Sequence, residues 1–254
     1  AGATIIRGGG VGGGGWGGVV GNGANFEGGD NANHPLPGNY LGIVYKGGEI
    51  VPFLMSFFLI VFTVSIERFF TLSKANGSGS IEAFVLKIKN QLSANQIDSA
   101  IAECDKQKGS VANVVRATLL TYKDMTTETK LDKEQKVAAI QKSTEEATSL
   151  ELPMLEKNLT ILSTLASVAT LVALLGTVIG MIKAFAGMAQ AGAPDATALA
   201  NGISEALINT AIGIGTSAVS IICYNFFTSK IDTLSYSIDE AGMSIAQTFA
   251  ASNK

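Results

Sequence analysis

Three long runs of apolar residues constrain this chain more than any other feature. The first, residues 50–66 (IVPFLMSFFLIVFTVSI), carries no charge and stops at Glu67 and Arg68. The second, residues 159–188, is interrupted only by Lys183, and the third, residues 203–227, only by Glu205. About 20 apolar residues cross a hydrocarbon layer of ~30 Å. In lipid every backbone polar group must be satisfied inside the segment, so runs of this length are helical. The first run is slightly short. Residues 41–45 extend it upstream, and Arg68 can snorkel to the interface at its other end. Pro52 falls in the first turn, where a missing N–H costs little. The chain therefore reads as an all-α integral membrane protein with three transmembrane helices. Its composition agrees: 15% of residues are charged, against about 25% for an average soluble domain.

Between and around these runs the sequence changes character. Residues 1–48 form a glycine-rich arm in which Gly8–Gly10, Gly12–Gly15 and Gly17–Gly18 punctuate a polar stretch. Glycine at this density loses much conformational entropy on ordering and buries little apolar surface, so an irregular segment is expected. The glycines do not make a phosphate loop, because no Lys-Ser/Thr pair follows them. Residues 49–70 are the first span, and residues 71–155 are a cytoplasmic helical domain. Ile81, Phe84, Val85, Ile88 and Leu92 recur there at helical spacing, and Asn95 reads as the cap of the next helix. Between Leu131 and Gly176 no glycine occurs and Pro153 is the one proline, which predicts a single very long helix kinked at Pro153. Residues 156–188 are the second span, 189–202 a short outer loop, 203–228 the third span, and 229–254 a cytoplasmic helical tail.

Charge sets the orientation. Arg68, Lys74, Lys142 and Lys157 flank the middle domain and Lys230 follows the third span, whereas the loop 189–202 has neither Lys nor Arg. Positive charge near span ends stays in the cytoplasm, which puts the arm outside and the C-terminus inside. Other function classes fare badly. A net charge of −3 offers no basic surface to nucleic acid. One histidine, His34, and two cysteines, Cys104 and Cys223, make neither a zinc site nor a disulfide framework. No GxSxG, HExxH or paired intramembrane aspartate occurs, so the chain does not read as an enzyme, and no cofactor or metal is expected. The chain begins at Ala1 rather than Met, as a processed product or part of a longer protein would.

The second and third spans are lean. Gly176 and Gly180 form a GxxxG step, and Gly213 marks the opposite helix, so their backbones can approach closely. Plain helix packing explains these glycines as well as a cavity wall does. The first span is bulky, with Phe53, Phe57, Phe58 and Phe62, which suits lipid. Two lean spans and one bulky span suggest a ring whose inner wall is made by spans two and three. An ionisable residue inside a span is a functional candidate by default, which singles out Lys183 and Glu205. Lys183 lies six residues beyond Thr177, and Glu205 lies five residues before Thr210 on a helix running the other way. If the two threonines share a level, the rise of ~1.5 Å per residue brings Lys183 and Glu205 to one depth near the outer mouth. Thr177 and Thr210 are the polar groups nearest mid-membrane. Their hydroxyls can bond back to their own helices or face a cavity and pass protons. No carboxylate sits at that level in this chain, so a titrating acid there would belong to a partner.

These residues carry a resemblance. SIERFFTL after the first span, LLGTVIGMIKAF in the second and ISEALINTAIGIGTSAVSIICYNFF in the third resemble the ExbB/TolQ family, which is similar more distantly to the MotA stators. The resemblance implies a homo-pentamer in the bacterial inner membrane surrounding an ExbD-like dimer and using the proton-motive force to energise a TonB-like protein. It implies that Thr177 and Thr210 are pore threonines, that Glu205 is the third-span glutamate, and that the proton is taken up by an aspartate of the partner. An outward arm favours ExbB over TolQ. A TolQ-like or gliding-type stator and a non-conducting membrane scaffold are the competing readings. Lys183 stands where an uncharged polar residue is more usual in that family.

Overall fold

The computed structural model describes residue 19 and residues 21–29, 35–190 and 196–252. Most of the glycine-rich arm, His34 and the middle of the loop expected at 189–202 lie outside the described residues. Within them the chain is helical, with an isolated bridge between Phe26 and Pro35 and no strand. Three helices are long and apolar enough to cross a membrane. The helices are α1 Tyr40–Lys46, α2 Val51–Ala75, α3 Ile81–Ser93, α4 Ile97–Gln107, α5 Gly109–Thr127, α6 Lys133–Glu156, α7 Leu159–Gln190 and α8 Ala196–Ser252.

The chain divides into two compact units, one formed by residues 1–60 with 165–219, the other by 61–164 with 220–254. In the second unit the helices are built as amphipathic pieces around one core. Phe84, Ile88 and Leu92 of α3 are buried, as the spacing requires, together with Val114, Val115, Leu119 and Tyr122 of α5. The distal part of α8 supplies Ile231, Leu234, Ile238, Ile245 and Phe249 to this unit's core. Tyr122 and Phe249 meet edge to face at 4.9 Å, an arrangement that adds about 1 kcal/mol to area burial. Helix starts follow their caps. Ser80 accepts from the Ala83 N–H, and Asp132 and Gln135 form a capping box at the start of α6.

Two local readings change. Asn95 does not cap α4; it sits at φ 58 in the turn, and Gln96 takes the cap position. Nor do α6 and α7 make one kinked helix. Pro153 lies inside α6, and the chain breaks five residues later, where Asn158 takes φ 66. Asparagine enters the left-handed region more readily than most residues, so it ends a helix without glycine. A clasp holds the break. Arg68 near the end of α2 has a side chain only 2% exposed. Its Nε and Nη2 donate to both Glu67 oxygens at 2.6 and 2.5 Å, and Nη1 donates to the Leu155 carbonyl at 3.3 Å. The Asn158 amide donates to Glu67 at 3.4 Å. A buried guanidinium is tolerable only with its donors occupied, and here they tie α2 to the end of α6.

Away from the spans, the hydrogen bond from Lys87 at 2.6 Å holds the Glu103 carboxyl below its usual range. Burial pushes the Cys104 thiol from 9.0 up to about 12. The thiol stays neutral in the folded state. Its contribution to stability is therefore complete below pH 9 and is lost as the pH climbs toward 12.

Two outcomes are expected. Arg68→Met should lower unfolding free energy by about 2 kcal/mol in a detergent-titration unfolding series, with a smaller effect for Glu67→Gln because that carboxylate is 44% exposed. At pH 8 a water-soluble maleimide should leave Cys104 unmodified in the folded protein and label it fully after denaturation, scored by intact mass.

Candidate functional site

The site lies in the first unit, where α7 and α8 run against each other through small residues. A Cβ added at Gly180 would stand 3.0 Å from the Gly202 carbonyl oxygen and 3.3 Å from the Ala206 Cβ. One added at Gly213 would overlap Ala173, and one at Gly202 would overlap Ala184 at about the same closeness. These contacts fix an antiparallel register in which glycine on one helix meets alanine or backbone on the other. In lipid, association of helices depends on such close van der Waals packing rather than on a hydrophobic drive. Ser217 adds a polar stitch by donating its hydroxyl to the Ala166 carbonyl.

This register brings Thr177 and Thr210 together. Their hydroxyl oxygens are 2.5 Å apart, and both residues are half-buried. Thr177 Oγ1 also lies 3.1 Å from the Ala173 carbonyl and 3.4 Å from that of Ala206, and Thr210 Oγ1 lies 3.0 Å from the Ala206 carbonyl. Each hydroxyl has one proton. When Thr210 donates to Thr177, Thr177 donates to a carbonyl; when Thr177 donates to Thr210, Thr210 donates to the Ala206 carbonyl. The pair has two complete hydrogen-bonding arrangements of opposite polarity. Bonding back to the helix and bonding across the pair are thus alternatives within one cluster, and a proton can be handed across it by exchanging them.

Further along the same two helices Lys183 Nζ donates to Glu205 Oε1 at 2.9 Å. The Lys183 side chain is 50% exposed and that of Glu205 only 15%. Lys183 and Glu205 thus stand at one depth, as their distances in sequence from Thr177 and Thr210 predict. A third element was not foreseen. The carboxylate rests on Gly48, at φ 73 in the 3-10 turn that leads into α2, and any side chain there would overlap it. Gly47 packs likewise on Val51 and Ile208. Glu205 is therefore held between the lysine of α7 and the backbone ahead of α2. An isolated charge in a span costs about 2.5–3.5 kcal/mol, and pairing lowers that cost.

Gly176 meets neither a glycine nor an alanine. It faces the side chain of Asn209, whose Nδ2 would lie 2.9 Å from an added Cβ. In sequence Asn209 is one polar residue among several in the third span, and spacing alone does not reveal its neighbour at Gly176. Among the described residues, no three His, Cys, Asp or Glu side chains converge as a metal site would require.

Residues 111–240 match the family described as the MotA/TolQ/ExbB proton channel family. The chain belongs to that family. The match takes in Thr177, Lys183, Glu205 and Thr210, and it leaves out α2 and the arm. No curated protein matches the chain. Membership and the three apolar helices make it a multi-pass membrane protein of a proton-channel family.

Thr177→Cys with Thr210→Cys, made in a chain with Cys104→Ser and Cys223→Ser, should form a disulfide within one chain under mild oxidation, because hydroxyl oxygens 2.5 Å apart leave the β-carbons within bridging range. Non-reducing gels should show a faster monomer; a crosslinked dimer as the main product would contradict the geometry.

Proposed function

We propose that this protein is the ring-forming subunit of a proton-driven motor of the ExbB type in the bacterial inner membrane. The single observation that carries the reading is the Thr177–Thr210 hydroxyl pair in a wall of small residues. It supports proton transfer, because hydroxyls exchange hydrogen bonds, and it lacks an acid of its own at that level. The acid then comes from a partner of the ExbD kind, whose helices occupy the bore of a homo-pentamer. The arm and the Lys183–Glu205 pair face the periplasm, and the α3–α6 domain and the end of α8 face the cytoplasm, in keeping with the distribution of Lys and Arg.

In this mechanism protons arrive past Glu205 and protonate the partner carboxylate beside Thr177 and Thr210. A charged carboxylate facing an apolar wall is costly, and neutralising it removes most of that cost. The partner helices then move relative to the wall, and the proton leaves inward. Each proton contributes ~2.3 kcal/mol per 100 mV of membrane potential. Movement of the partner is what a TonB-like protein would use at the outer membrane.

Thr210→Val removes one hydroxyl with little change of shape. Vesicles carrying the subunit with its co-encoded partner should lose at least tenfold in potential-driven proton uptake, with the mass of the complex unchanged. Uptake equal to the parent would remove the hydroxyl pair from the path.

A further inference from the structure

Behind the hydroxyl pair sits a group that the transfer scheme does not use. Asn209 is 0% exposed, and both its Oδ1 and its Nδ2 lack any hydrogen-bond partner. An amide offers two donors and two acceptor lone pairs. Leaving them unmet in an apolar interior costs several kcal/mol. Turning the amide over only exchanges oxygen for nitrogen, so both ends remain unmet. Solvent cannot reach the group across the surface. Gly176 closes against it, with the Asn209 Cβ and Cγ both 3.0 Å from where a side chain of that glycine would begin.

The residues around the amide are small. One turn to either side of Asn209 lie Ala206 and Gly213, and one turn to either side of Gly176 lie Ala173 and Gly180. All four are buried. A water molecule needs only about 10–15 Å³ of free space and two to four polar partners, and walls of hydrogen and methyl groups occupy the least volume a side chain can. Asn209 and Gly176 directly precede Thr210 and Thr177 in the sequence, so the amide and the hydroxyl pair belong to the same level of the two helices.

We propose that Asn209, seated in the notch at Gly176, binds buried water, and that this water is the neighbour with which the Thr177–Thr210 pair exchanges protons. The amide satisfies one side of the water by donating through Nδ2 or accepting at Oδ1. In transfer the water takes up a proton arriving from the outer side and passes one of its own to a threonine oxygen. Each threonine hands on its hydroxyl proton in the same step, the last being taken by the partner carboxylate, so no group in the wall gains net charge, and the amide only holds the water in place. The water site stands on the unmet amide alone; its use in proton transfer rests on the path proposed above.

The test uses the full chain in lipid bilayers, labelled with ¹⁵N at the asparagine side chains, with the Asn209 signal assigned by its loss in Asn209→Leu. Solid-state NMR should show magnetisation passing from water to Asn209 Nδ2 that survives a paramagnetic agent in the bulk water. An Asn209 signal receiving none overturns the site. In vesicles carrying the chain with its co-encoded partner, Asn209→Leu should lower proton uptake at least tenfold. Asn209→Ser, smaller but still polar, should stay within about threefold of the parent. Parent-like uptake in Asn209→Leu, or an equal loss in both variants, overturns the role in transfer. Thr210→Val separates the two ideas: the water signal should persist there, so parent-like uptake in that variant defeats the hydroxyl path and leaves the water site standing.

Discussion

Close contact between α7 and α8 is the constraint on which the rest depends. Gly180 against Ala206, Gly202 against Ala184 and Gly213 against Ala173 set the separation and register of the two helices. Only at that register do the Thr177 and Thr210 oxygens come within 2.5 Å and Lys183 reach Glu205 at 2.9 Å. A larger side chain at any of these glycines would push the helices apart and disconnect both polar pairs. Packing and chemistry are therefore one arrangement here. The residues that look inert set the geometry, and the polar residues report it.

The polar groups of this wall form a graded series. At one end a lysine and a glutamate neutralise each other, with the carboxylate resting on a glycine ahead of α2. Deeper in, the wall offers hydroxyls that can reverse their donor direction. Beside them an amide is fully buried with nothing to bond. None of these groups carries net charge once paired, which is what the proposed proton path requires of a wall that is not to trap the proton. The clasp of Arg68, Glu67, Leu155 and Asn158, in the other unit, is a different device, in which a buried charge is fixed by hydrogen bonds from all three of its nitrogens.

Much of this was legible in the sequence. Apolar run length gave three membrane-crossing helices, and the spacing of Phe84, Ile88 and Leu92 gave the buried face of α3. Residue counts along two antiparallel helices were enough to bring Lys183 opposite Glu205. The rest was hidden for physical reasons. The break at Asn158 carries no glycine or proline, because asparagine can take the left-handed conformation by itself. Arg68 reads as a snorkelling residue, because its burial depends on a carbonyl 87 positions away. Gly48 and Asn209 are ordinary in sequence, and their importance lies in what stands opposite them. Contacts that depend on a neighbour from another element leave no periodicity to detect.

The account's central claim is that this chain supplies a hydroxyl-bearing wall and borrows its titrating acid. Proton flux under an imposed membrane potential, measured in liposomes holding the chain alone and then the chain with its co-encoded partner, tests that claim most directly. No flux above empty liposomes is expected for the chain alone, and the flux seen with the partner should disappear when the membrane-embedded acid proposed for that partner is replaced by its amide. Steady proton flux through the chain alone would contradict it.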